Sequence, residues 1–404
     1  MLSSPDGLML EVGAAEADIT PHNVSRTWLA GFGINRRARG VLEPLRASAL
    51  FLRAGERRVA LLALDLLGIA RPWVEQIRAA AHLAPDMPLL CACTHTHAGP
   101  DTLGLWGRGV LGVPLLSGVD PRYREDLVRS AAGALASAVT SAAPATLRMA
   151  SFEVPETWTR NERRGGARAD TAVAVACDAE SGGRIATWLC HASHPETLWS
   201  GNRLLSPDFP GAFRARTQEL AGGVALYTNG ALGAMLTPNV PADASDDARR
   251  SYARDLGRTL AELAQTALAA ERPARPDVLL CRTTEVALVN HNWRFSLLQA
   301  LGLCETPVEG GRVRAPVHYL RLGDLELLSA PGEVAPELGA RIRERLSARH
   351  GMLLGLCGEE VGYILEPAMY DDPEYAHEAA TSLGRPTADA LLAGYDALLE
   401  KRVR

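Results

Sequence analysis

Strand-length runs of Val, Leu and Ala dominate the chain, and their order limits the folds open to it. At the start they alternate with helical patterns. ASALFLRA and RVALLALDLLG read as strands, WVEQIRAAAHLA as an amphipathic helix and LLCACTHTH as a further strand. After the next helix, PRYREDLVRSAAGALASAVTSA, three strand candidates follow one another: ATLRMASFEV, TAVAVACDAE and RIATWLCHAS. Consecutive strands favour hairpin-joined antiparallel pairing, whereas strand-helix alternation favours parallel crossovers, so the expected fold is α/β with mixed sheets flanked by helices.

Past the centre, FPGAFRARTQELA reads as a helix and VALYTNGAL as a strand that ends in a glycine-rich turn. A long helix follows over DARRSYARDLGRTLAELAQTALAAE, behind the capping segment ASD. DVLLCRTTEVALVN and VHYLRLGDLELLSAP read as strands, APELGARIRERLSARHG as a helix, GMLLGLCG as a buried strand and TADALLAGYDALLEK as the closing helix. ERPARPD is the one linker-like stretch, and strands resume directly after it. A single large domain over residues 1–404 is therefore expected, without internal repeats.

An apolar fraction of 47% and a charged fraction of 22% match a packed globular chain, and a net charge of -5 offers no basic field for nucleic acid. Lys401 is the sole lysine among many arginines, which reads as composition bias. Residues 1–12 lack the pattern of a signal peptide and no stretch has the length of a membrane span, so a cytoplasmic location is expected. The seven cysteines mostly sit in apolar runs, as reduced core thiols do, and alternate residues Cys91 and Cys93 read as strand packing.

Histidines mark the candidate chemistry. In LLCACTHTHAGPDTLGLWG a strand runs into His95 and His97, two residues apart and so directed to the same side of its end. Neutral imidazoles there suit zinc, although a pair of hydrogen-bonded structural histidines is the other reading. In WLCHASHPETLWSGNRLLSPDFPG a second strand ends near His191 and His194; His194, in the loop beside Pro195, is the better ligand candidate, and His191 reads as a core or supporting residue. Glu333, in SAPGEVAPELGARI, can supply a hard oxygen ligand or merely cap a helix. The segment around Tyr363, Tyr370, Tyr375, His377 and Glu378 is the richest in polar aromatics and is a candidate pocket wall.

Taken together, the blocks EADITPH, GFGINRRARGVLEPLRASALFL, LDLLGI, THTHAGPDTLGLWG, HPETLWSGNRLLSPDFPG, NGALGAMLTPN, APGEV and GYILEP resemble, in order, the catalytic domain of the neutral, non-lysosomal ceramidase family. The resemblance implies a zinc-dependent hydrolase of linear amide C–N bonds that acts on an N-acyl lipid, as in sphingolipid metabolism, or another N-acyl substrate through water activated on the metal. It places the zinc ligands on His95, His194, Glu333 and Tyr363, and non-ligand active-site roles on His97, Tyr375 and Arg160. Where the family has a serine in a GDVSPN-like segment, this chain offers Thr237. The family's carboxy-terminal immunoglobulin-like module has no counterpart in the sequence. Two other readings remain: an amidohydrolase-type barrel in which both histidines of the HxH pair bind metal, and a non-catalytic metal-binding protein on the ceramidase scaffold.

Overall fold

In the computed structural model, which describes residues 7–169, 171–234 and 236–400, the apolar runs form two stacked sheets between two layers of helices. The first sheet contains β1 (Leu10–Asp18), β2 (Arg46–Ala54), β3 (Arg57–Leu64), β4 (Leu89–Cys93), β5 (Ala143–Glu153), β6 (Thr171–Ala179), β7 (Arg184–His191) and β8 (Val224–Asn229), in the order β8-β7-β6-β5-β1-β2-β3-β4. The second contains β9 (Leu279–Val289), β10 (Arg312–Leu322), β11 (Leu325–Ser329) and β12 (His350–Leu354), side by side in that order. Three pairs are parallel, β3 with β4, β7 with β8 and β11 with β12, and the other neighbours are antiparallel. The expected mixed α/β architecture is present, and the barrel alternative falls with it.

Period-two alternation explains why the strands read as nearly continuous apolar runs: both faces are covered. On β6, Val173, Val175 and Cys177 meet the second sheet while Ala172, Ala174 and Ala176 meet helices. On β3, Val59, Leu61 and Ala63 point into the space between the sheets, and Ala60, Leu62 and Leu64 point away. Helices α1 (Arg71–Ala80) and α2 (Pro121–Thr140) cover one half of the outer face through Trp73, Ile77, Leu127 and Leu135. Helices α3 (Phe209–Ala221) and α4 (Asp246–Ala269) cover the other half through Phe209, Phe213, Leu256 and Leu260. The short α5 (Trp293–Ala300) lies at the surface, and α6 (Pro336–Arg343) and α7 (Pro386–Glu400) cover the far face of the second sheet. Ser245 caps α4 by accepting from the Ala248 amide, as the ASD segment predicts.

Several elements depart from expectation. β1 was not read as a strand, because its outer face carries only small or acidic residues (LEVGAAEAD). VHYLRLGDLELLSAP is a hairpin, β10 and β11, that turns at Gly323 with φ 54°. The helix expected over 335–351 stops at Arg343. The ERPARPD stretch is no free linker: Ala274 exchanges backbone hydrogen bonds with Leu147 of β5 at 2.8 and 2.9 Å. All seven cysteines are free, and Cys91 and Cys93 pack in β4 as read. Lys401 lies outside the described residues, and no described helix is long and apolar enough to cross a membrane.

Although β4 and β8 are opposite edges of the first sheet, their carboxyl ends come together. The Asn229 side-chain amide, closing β8, donates to the Thr94 carbonyl just past β4 at 2.6 Å. The segment after β12 bonds to both edges. Gly355 donates to the Asn229 carbonyl, Gly358 donates to Cys91, and Leu356 accepts from Cys93. Behind this junction Arg214 of α3 forms a two-pronged ion pair with buried Asp65 at 2.8 and 2.5 Å, and Asp65 also accepts from the Arg46 amide. Arg214→Met would strand the Asp65 carboxylate without a charged partner. A loss of about 3–5 kcal/mol is expected in urea unfolding, and a loss near zero would show that the pair does not hold β3 against α3.

Candidate active site

Each candidate donor sits on a loop leaving the carboxyl end of a parallel strand pair, where a mixed sheet leaves a crevice. His95 and His97 follow β4, His194 follows β7, Glu333 follows β11 and Tyr363 follows β12. The first sheet thus supplies the imidazoles and the second supplies the carboxylate and phenol. Glu333 and Tyr363 are direct partners in a two-residue parallel pairing, Glu333–Val334 with Tyr363–Ile364.

The strand that carries THTH stops at Cys93, so the two histidines do not share a face by strand alternation. His95 adopts a left-handed backbone, φ 68°, and this turn brings its ring to 5.0 Å from that of His97, centroid to centroid. His194 lies 5.0 Å from His95 and 5.6 Å from His97 by the same measure. Donor atoms of all three buried histidines fall within 4.8 Å of one another, a group able to hold a metal ion.

Backbone carbonyls fix two of the rings. His95 Nδ1 donates to the Leu67 carbonyl at 2.8 Å and His194 Nδ1 donates to the Leu236 carbonyl at 2.7 Å, leaving both Nε2 atoms facing inward. Both approach one carboxylate oxygen: Glu333 Oε2 is 3.0 Å from His194 Nε2 and 3.6 Å from His95 Nε2. Glu333 is therefore no helix cap; α6 begins after Ala335, and the carboxylate turns into the cluster. Tyr363 donates its hydroxyl to Glu333.

Charge in this cluster is tightly balanced. Burial pushes the Glu333 carboxyl up, but His95 and His194 outweigh it and hold it below the ordinary range. Burial also opposes charge on His194, yet the bond to Glu333 and the field of Glu196 raise its pKa to about 9. Burial lowers His95 to about 4 and drives His97 well below its usual value, with the neighbouring histidines and Arg36 adding to the effect on His97. Burial likewise raises Tyr363 well above the phenol range, ahead of the Glu333 and Glu196 charges, so it stays a donor. A proton on His194 Nε2 and a metal ion are alternative occupants of one lone pair. Neither ring nitrogen of buried His97 has a hydrogen-bond partner, and its Nδ1 stands 3.3 Å from Glu196 Oε2. The donor set, two inward Nε2 atoms, an unpartnered imidazole and a carboxylate, fits zinc.

The remaining predicted residues divide. Tyr375 packs with Tyr363, Leu365 and Met369 beside the cluster. Thr237 is buried near Glu196, whose ionised form it favours. Arg160 pairs with Thr237 across two short strands, but its guanidinium is occupied by Asn239, the Val240 carbonyl and Glu162. Arg163, three residues on, is the arginine whose charge reaches Tyr363 and Tyr375, and it donates to buried Glu378 at 2.6 Å. Tyr370 bonds to Ser382, and His191 packs against Phe209 and Tyr227 away from the cluster.

Three supporting residues carried no site assignment in the sequence reading. Glu196 follows His194 by two positions within the HPETL block. Phe32 walls His97 with ring centroids 4.8 Å apart. Asn229 ties the two histidine loops together, donating to Thr94 and accepting from the Ser193 amide at 3.2 Å. Its partners are distant in sequence, so no local pattern announces it.

No protein-family model and no curated protein sequence matches the chain. Solved structures do. A neutral ceramidase from Pseudomonas aeruginosa matches with a TM-score of 0.80 at 20% identity, over 98% of this chain and 75% of that one. A ceramidase complexed with C2 matches with a TM-score of 0.80 at 19% identity, over 98% of this chain and 76% of that one. The fold of this chain is the neutral ceramidase fold.

Two variants probe the support behind the cluster. Asn229→Ala leaves the Ser193 amide without its acceptor and cuts the tie to Thr94; a loss of about 1–3 kcal/mol is expected in chemical unfolding, and unchanged stability would remove Asn229 from this role. Glu359, four positions before Tyr363, is pushed up to about 7 by burial. The folded chain keeps that proton where the unfolded chain has lost it, so stability should fall as pH rises from about 4.5 to 7, by about 3 kcal/mol. Glu359→Gln should flatten this slope in unfolding curves recorded at pH 5 and pH 7.5.

Proposed function

We propose that this protein is a zinc-dependent hydrolase that cleaves the amide C–N bond of an N-acyl lipid of ceramide type, releasing an amine and a carboxylate. One observation carries the reading: on a neutral ceramidase fold, two histidines from one sheet and a buried carboxylate from the other converge on a common point. His95, His194, Glu333 and Tyr363 would hold the ion. Zinc, when bound, supplies a Lewis acid and lowers the pKa of water to about 7.

The chain's own residues supply the rest. Burial keeps His97 neutral and able to accept a proton, and Glu196 at 3.3 Å steadies the imidazolium once it forms. His97 then returns that proton to the departing amine. Thr237 and Tyr375, both at the cluster, donate to the carbonyl oxygen as negative charge grows on it. Arg163, held by its ion pair with Glu378, orients a polar group of the substrate near Tyr375. Phe32 and Trp199, with ring centroids 5.4 Å apart, form an apolar wall beside His97 suited to an acyl chain.

A second assignment of the ligands is favoured by the mutual distances of the three histidines and by the unpartnered ring of His97: His97 as a third imidazole ligand. Metal analysis of two variants separates the readings. His194→Ala should lose bound zinc under either. His97→Ala should retain stoichiometric zinc and lose turnover by about 100-fold or more if it moves protons, and should lose the metal if it is a ligand. Retention of full zinc by His194→Ala would overturn the site, and zinc without cleavage of any N-acyl substrate would leave a metal-binding protein on this scaffold.

A further inference from the structure

Large apolar side chains face solvent in two adjoining elements. A short hairpin, Gly109–Val110 paired with Val113–Pro114, displays Val110, Leu111 and Val113, and Leu115 and Leu116 continue the display. Leu111, at its tip, is 96% exposed. On α5 and its cap, Trp293, Leu297 and Leu301 recur every four residues along one side and are all exposed, Trp293 by 67%. No other described part of the surface gathers so many large apolar side chains. The elements meet at their bases. The Glu305 amide, just past α5, donates to the Leu103 carbonyl, and a methyl group on Gly104 would lie 2.0 Å from the Leu303 carbonyl oxygen.

The hairpin is also tied to the loop that packs on His97. Asn35 exchanges two 3.0 Å hydrogen bonds with the backbone of Gly109. The same loop carries Gly31, pressed against the His97 ring, and Phe32, which meets that ring edge-on. One loop thus contacts both the base of the hairpin and the His97 ring.

Charge distinguishes this face. Across residues 102–119 and 292–303 the only charged side chains are Arg108 and Arg294, both exposed, although the whole chain carries a net charge of -5. Arg294 stands over the Trp293 ring at 5.4 Å. Exposed Trp and Leu flanked by arginine, with no carboxylate inside either segment and the bordering Glu305 paired to Arg124, complement an anionic lipid surface, where apolar tips enter the acyl boundary and guanidinium groups meet phosphate. A second copy of this chain would present the same two cations and set like charge against like.

We infer that the Val110–Val113 hairpin and the exposed side of α5 dock the protein onto an anionic bilayer. The inference rests on the N-acyl lipid reading only for its purpose, because docking is measurable without turnover. The full chain is sedimented with vesicles of phosphatidylcholine, with and without phosphatidylglycerol. Binding to both is expected, stronger with phosphatidylglycerol. Leu111→Ser combined with Leu115→Ser and Trp293→Ser should weaken it by at least about tenfold. These side chains have little packing to lose, and an unchanged melting temperature checks that the variant is folded. Arg108→Gln with Arg294→Gln should abolish most of the phosphatidylglycerol preference, about fivefold per arginine.

Failure of the parent chain to bind either vesicle would overturn the inference, as would equal binding by the triple variant. Concentration-dependent dimerisation that the triple variant loses, without vesicle binding, would assign the face to self-association and also overturn it. Vesicle binding by a chain that cleaves no N-acyl substrate would leave docking intact and remove only the hydrolase reading; cleavage of a soluble N-acyl substrate without vesicle binding would do the reverse.

Discussion

A carboxylate buried as deeply as Glu333 must be met by positive charge or donated protons, because its hydration is gone and little else in an apolar interior replaces it. The surrounding architecture answers that demand. Tyr363 is paired beside it by a two-residue strand contact, and His95 and His194 are aimed at it by carbonyls behind their rings. Glu333 belongs to the second sheet and the histidines to the first, so the charge balance exists only when the sheets are stacked. The segment 355–358, bonded to both edges of the first sheet, holds that stacking at the end where the donors lie.

Much of the fold was legible in the sequence because strands covered on both faces leave long apolar runs, and the donors stood out because HPETL, PGEV and GYILEP set a histidine, a carboxylate and a phenol directly after such runs. Other parts left no such trace. β1 pairs through its backbone and carries small residues outward, so it lacks the alternation that betrays a half-buried strand. α5 buries none of its residues fully, and its four-residue apolar repeat, Trp293, Leu297 and Leu301, faces solvent while Phe295 packs only partly against the core, so hydrophobic pattern does not mark it as a core helix. THTH was read as the end of a strand; the shared direction of its histidines was correct, yet it comes from the left-handed turn at His95, which side-chain periodicity does not encode.

Supporting residues were the least legible. Arg160 was chosen from the segment TRNERR by its likeness to a family position, but its guanidinium is occupied by Asn239 and Glu162, while Arg163 reaches the tyrosines. The difference between two arginines three residues apart is decided by partners such as Glu378, 215 positions away. Asn229 illustrates the same limit, since its amide joins Thr94 and Ser193, two loops that only the curled first sheet brings together.

The separation of the donors along the chain bears on the order of synthesis. His194 and Glu333 lie 139 positions apart, and Tyr363 follows later still. The first sheet, complete at Asn229, can assemble while Glu333 and Tyr363 are still unmade, with Glu196 as the carboxylate beside His97. Until then His95 and His194 lack the carboxylate that faces both of their Nε2 atoms in the folded protein. The cluster is completed only when the second sheet closes over the first, so the last third of the polypeptide governs what can occupy a site begun far earlier in the chain.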